Sequence, residues 1–137
     1  MVVVVRDGQV VMREAYGEAE VAPKREPMAV DAVFDLASLT KPLATAIAVM
    51  QLVEGGRVGL DAPAARYLPE LAEAGKGDVT VRELMLHTSG LPADTALADF
   101  RGERDEATRR VLAAKLEARP GARVRYSDVG FLTLGAL

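Results

Sequence analysis

The sequence predicts an α+β fold, and three observations predict it. A β-branched run opens the chain, a nearly all-apolar helix follows, and capped helices punctuated by glycine and proline fill the rest. Val2 to Val5, the two-residue turn Asp7-Gly8, and Gln9 to Tyr16 with Val10, Val11 and Met12 read as a β-hairpin. Four consecutive valines predict a strand covered on both faces. Gly17 to Asp31, carrying Pro23 and Pro27, reads as an irregular connection, and Val33 to Leu36 as a short extended piece.

The first strong helix runs from about Ser38 to Glu54. Pro42 fixes its start, because proline has no amide donor and is tolerated only in a first turn. Ser38 therefore lies at the helix mouth. Leu43 to Val53 leave almost no polar face, the pattern of a buried helix, and Gly55-Gly56 stops it. Asp61 is a candidate cap for a short helix around Pro63 to Tyr67. Thr80 and Glu83 have capping-box spacing and open a helix from Val81 to about His87. Leu91 to Arg104 reads as a surface loop, and Asp105 to Arg119 as a helix closed by Pro120-Gly121. Ala122 to Tyr126 is short and extended, and Ser127-Asp128 offers a cap for a last apolar helix through Leu137.

The 137 residues fit one domain, 1–137, with 17 basic against 20 acidic side chains. No Lys or Arg run exists, which argues against nucleic acid as a partner, and no apolar run approaches the ~20 residues of a membrane span. Without cysteine and with a single histidine, a thiol nucleophile and the common metal sites are excluded, so no cofactor or metal is expected. Val2 to Val5 are too few for a signal peptide, and the compartment stays undetermined. The last helix has no stop signal and the first strand begins at once. Both ends read as those of a piece of a longer protein.

Ser38-Leu39-Thr40-Lys41 carries the chemistry. Positions i and i+3 share a helix face, so the Lys41 amine can reach the Ser38 hydroxyl. A serine needs a base to become a nucleophile, and burial can turn a lysine into one by disfavouring its charged form. The helix amino terminus adds positive potential, which favours a developing oxyanion. Taken alone, the same four residues also fit a helix cap followed by a solvated lysine.

Phe34 to Lys41 resembles the active-site segment of the serine β-lactamase and penicillin-binding-protein superfamily, closest to the class C β-lactamase-like branch. The resemblance continues through Gly56 to Asp61, Tyr67-Leu68-Pro69, Val79 to Pro92, Pro120-Gly121 and Tyr126 to Phe131, and so covers essentially the whole chain. It implies a partial β-lactamase/transpeptidase-like fold, comprising an antiparallel sheet piece, a buried central helix bearing Ser38, and part of a helical lobe. It further implies acyl transfer through Ser38 on esters, β-lactams or D-amino-acid peptides, in that order, with small-molecule or peptide substrates as partners.

Tyr126-Ser127-Asp128 stands where the family has Tyr-x-Asn, and the resemblance makes Tyr126 a second proton handler beside Ser38 and Lys41. Asp128 departs from the asparagine. An ionised carboxylate only accepts hydrogen bonds, and facing the pocket it would hold Lys41 charged; facing away it caps the last helix. As a substrate-binding residue it shifts the expectation toward esters. The resemblance reads His87 and Ser89 as structural, while Asp35 and Asp61 read as turn or cap residues. The family's third motif, Lys/His-Thr/Ser-Gly, does not occur in the sequence. Its strand supplies one of two oxyanion-hole amides in relatives, so the chain alone is expected to be inactive. The alternative reading is a non-catalytic binding or sensor module with a ligand-accepting serine.

Overall fold

The computed structural model describes residues 1–96 and 101–137, which fall into two compact units, Met1–Ala37 and Ser38–Leu137. In the first, strands β1 (Val2–Arg6) and β2 (Gln9–Glu14) form the predicted antiparallel hairpin, with Val2 opposite Glu14 and Arg6 opposite Gln9. Asp7 and Gly8 both take positive φ, 51° and 77°, the twist that a two-residue hairpin turn requires. The valines do not meet the expectation of cover on both faces. Val2 to Val5 are 42–59% exposed, because β-branching suits a pleat but does not itself supply a second layer.

Gly17 to Asp31 is more regular than predicted. Strands β3 (Glu18–Glu20) and β4 (Glu26–Pro27) pair antiparallel, and Gly17, at φ 73°, accepts a hydrogen bond from the Met28 amide at 3.0 Å. The extended piece at Val33 to Leu36 forms no strand.

In the second unit the predicted helix from Ser38 to Glu54 exists as three consecutive pieces. A 3₁₀ turn (Ala37–Leu39) leads to a π-helical turn (Lys41–Thr45) and then to α1 (Ala46–Glu54). The missing Pro42 amide prevents ordinary α-helical bonding at the start, and the Ala46 amide donates to the Lys41 carbonyl five residues back. The expectation of burial all round is corrected. Val49 is buried and Leu52 and Val53 pack beside it, while Leu43, Ile47 and Met50, on another stripe, are 57%, 49% and 38% exposed. The sequence supplies two apolar faces, and this unit uses one.

Downstream, a 3₁₀ turn (Ala64–Arg66) replaces the helix predicted from Pro63 to Tyr67. Asp61 caps nothing. Its carboxylate accepts from both Nε and an Nη of Arg82, at 2.6 and 2.9 Å. Helix α2 (Glu70–Glu73) was not predicted. Helix α3 (Val81–Met85) has the predicted capping box: the Glu83 amide donates to Thr80 Oγ1 at 3.1 Å and the Thr80 amide to Glu83 Oε2 at 2.9 Å. It stops two residues before His87.

Helix α4 (Arg104–Leu112) is shorter than predicted, because tertiary contacts claim the residues after it. Lys76, only 2% exposed, donates from Nζ to the carbonyls of Leu112 and Ala114, each at 2.7 Å. The Glu117 and Ala118 amides turn to the Gly90 carbonyl at 2.8 and 3.3 Å. Gly90 has φ 79°, and a Cβ there would collide with the Ala118 carbonyl oxygen. Of the predicted surface loop from Leu91 to Arg104, residues 97–100 lie outside the described residues, and Leu91 itself is buried at 2% exposure.

Helix α5 (Asp128–Ala136) begins as predicted, with Ser127 Oγ accepting from the Gly130 amide at 3.0 Å, whereas the segment from Ala122 to Tyr126 forms no strand. The core of this unit gathers Leu71, Val79, Val81, Leu84, Val129 and Leu134. Among the described residues no helix is long and apolar enough to cross a membrane.

Candidate active site

Three segments bring the sequence-predicted side chains together. The turn before α1 supplies Ser38 and Lys41, the approach to α5 supplies Tyr126, and the first residue of α5 supplies Asp128. Lys41 Nζ lies 3.4 Å from Ser38 Oγ, one turn back along the same face. It lies 2.6 Å from Asp128 Oδ1 and 4.8 Å from the centroid of the Tyr126 ring. The Lys41 side chain is only 15% exposed, while Ser38 and Tyr126 are open to solvent.

Asp128 therefore faces the site, and Ser127 does the capping. The position needs both residues. Ser127 turns its hydroxyl down to Gly130 and donates it to the Pro92 carbonyl at 2.6 Å, which leaves the next side chain free to point at Lys41.

Opposing influences act on the Lys41 amine. Desolvation is the largest single influence and does push its pKa down. The hydrogen bonds it donates to Asp128 and Tyr126, with the charges of both, together outweigh it, and the amine is held above its ordinary value. The phenol moves the other way. Contacts with Lys41, then with Ser38, lower the Tyr126 pKa against the opposing influences of desolvation and the Asp128 charge. The two shifts are opposite in direction and arise from the same mutual contacts.

Two aromatic neighbours of the site were not singled out as site residues in the sequence. Phe131, one turn into α5, presents its ring 6.0 Å from Lys41 Nζ. His87 packs its imidazole 4.6 Å from the Tyr126 ring and 5.0 Å from that of Phe131. A histidine at a helix end gives no local sign of which loop will fold back on it, so only long-range contacts reveal this. Ser89 is 1% exposed, its Oγ accepting from the Leu91 amide at 3.4 Å. Asp35 makes a turn, its carboxylate accepting from the Ala37 amide at 2.8 Å. Among the described residues no cluster of three or more His, Asp or Glu side chains is arranged to hold a metal ion.

Comparison with known proteins finds several relatives. The chain is 38% identical to esterase EstB of Burkholderia gladioli over 91% of its own length and 36% of the relative's. It is 30% identical to an N-acetylmuramyl-L-alanine amidase of Bacillus subtilis over all of its length and 35% of the relative's. It is 28% identical to a putative D-alanyl-D-alanine carboxypeptidase of Escherichia coli over 96% of its length and 35% of the relative's. The chain thus spans about a third of the length of these relatives. The beta-lactamase family model matches residues 1–137, and the chain belongs to that family.

Proposed function

We propose that the protein carrying this chain is a serine hydrolase that forms an acyl-enzyme on Ser38, with Tyr126 as the proton carrier and Lys41 as the cation that tunes it. The observation carrying this reading is the placement of Lys41 Nζ within 3.4 Å of Ser38 Oγ beside a phenol whose pKa Lys41 and Ser38 both lower. In acylation, Ser38 Oγ bonds to the substrate carbonyl carbon and its proton passes to the Tyr126 phenolate. The bond to the leaving group then breaks, and that group takes the proton from Tyr126. Water repeats the sequence in reverse to release the acid and regenerate Ser38. Lys41 keeps its proton throughout and stabilises the phenolate.

Esters come first among the substrates, then β-lactams, then D-amino-acid peptides. The Asp128 carboxylate, committed to Lys41 at 2.6 Å, offers acceptors and no amide donor for a substrate carbonyl. The names of the esterase, amidase and carboxypeptidase relatives support the same range. A fluorophosphonate probe should label Ser38, located by peptide mapping, and Tyr126→Phe should slow labelling about a hundred- to ten-thousand-fold. Label at Ser89 or Ser127 with Ser38 untouched would refute the assignment.

The Lys41–Asp128 pair also favours a second reading, a binding or sensor module whose serine is acylated but not released. A single burst of p-nitrophenol, equal to the protein present and followed by no turnover, would select it.

A further inference from the structure

His87 is bonded to both chain neighbours of Tyr126. Its carbonyl accepts from the Arg125 amide at 2.8 Å, and its Nδ1 accepts from the Ser127 amide at 3.0 Å. Its imidazole lies against the Tyr126 ring, with centroids 4.6 Å apart. One residue thus grips the backbone on either side of the phenol and packs on the phenol itself. The backbone of His87 takes φ 58° to do this, a left-handed conformation that an L-residue adopts only under strain. The nearby Gly90 takes φ 79°, but no such freedom exists at 87, so the strain is held in place by surrounding contacts.

From this geometry we infer that His87 is a positioning residue for acyl transfer, holding the Tyr126 hydroxyl between Ser38 and Lys41 through its bonds to residues 125 and 127. The inference rests on the reading of Tyr126 as proton carrier. It requires a neutral imidazole, because only a deprotonated Nδ1 accepts from the Ser127 amide. The surroundings keep it so. Desolvation and then the Lys41 charge lower the His87 pKa, Asp128 alone opposes them, and the remaining neighbours Tyr126 and Phe131 bring no cation. Protonation would set two N–H donors against each other at Ser127 and release the grip.

The test combines labelling of Ser38 by a fluorophosphonate with NMR titration of Tyr126 carrying ¹³C at Cζ, in the parent protein and in His87→Phe and His87→Asn. Phenylalanine keeps a ring but removes the acceptor; asparagine tolerates positive φ and keeps an acceptor. Phenylalanine should slow labelling roughly tenfold to a hundredfold and move the Tyr126 titration up toward the ordinary phenol value. Asparagine should recover most of the labelling rate. Parental labelling and an unmoved Tyr126 titration in folded His87→Phe overturn the positioning role and leave the acyl-transfer reading standing. Should phenylalanine fail to fold, His87→Asn decides alone, a loss as large as that of Tyr126→Phe overturning the role of the acceptor. Absence of label on Ser38 in the parent overturns the acyl-transfer reading itself.

Discussion

At the scale of residues the site is defined by two opposite shifts. Lys41 is held protonated and Tyr126 is made easier to ionise. Acylation of Ser38 should therefore rise with pH as Tyr126 loses its proton, with a midpoint below the ordinary phenol value of about 10. It should fall again only above the ordinary lysine value, where the raised Lys41 deprotonates. Stopped-flow labelling across pH measures both limbs. Asp128→Asn is expected to move the lower limb to more acid pH, because the Asp128 charge is one of the influences raising the Tyr126 pKa. It should also improve amide and β-lactam acylation relative to ester turnover, since the new side chain can donate. Equal effects on both substrates and an unmoved limb would mean that the carboxylate does not act on the chemistry. Ser38-x-x-Lys41 was legible as a local spacing, and Tyr126 only through the family resemblance. That Asp128 meets Lys41 was not, because residues 41 and 128 are joined only by the fold.

At the scale of elements, the capped helices were readable wherever the cap was written in adjacent residues. Thr80→Ala should destabilise the protein by about 1 kcal/mol, by removing the acceptor for the Glu83 amide. Denaturant unfolding with an unchanged slope would register it. The end of α4 had no such local signature. Its stop is set by Lys76, a residue 36 positions from Leu112 and invisible to any pattern in the helix itself. Lys76→Met should cost about 2 kcal/mol, since two carbonyls lose their donor while a desolvated charge is relieved. Burial holds the Lys76 pKa below its ordinary value, so between the lowered value and about 10.4 the folded protein binds fewer protons than the unfolded one. The contribution of this group to stability should therefore rise with pH across that window, and the rise should vanish in Lys76→Met. A methionine variant as stable as the parent, with the same pH dependence, would show that α4 ends without its help.

At the scale of the whole molecule, the described residues leave many large apolar side chains exposed. Val2 to Val5 on β1 and the stripe Leu43, Ile47 and Met50 at the helix are exposed. The 137-residue chain expressed by itself is expected to self-associate, as sedimentation at increasing concentration would measure, and to hydrolyse a p-nitrophenyl ester no faster than its Ser38→Ala control. A monomer with Ser38-dependent turnover at enzymatic rates would contradict this.

The sequence by itself determined the hairpin, the position of Ser38 at a helix mouth, the capping box of α3 and the Ser127 cap of α5. Each follows from residues within one turn or one hairpin of each other, where sterics and local hydrogen bonds act whatever the rest of the chain does. Only the tertiary structure decided which apolar face of α1 is covered, where α4 stops, and which groups neighbour Lys41. Those depend on groups far apart in sequence: Lys76 with Leu112, His87 with Ser127, and Asp128 with Lys41. A pKa is a property of neighbours in space. The chain could announce a lysine beside a serine, but only the fold brought Asp128 and Tyr126 beside that lysine.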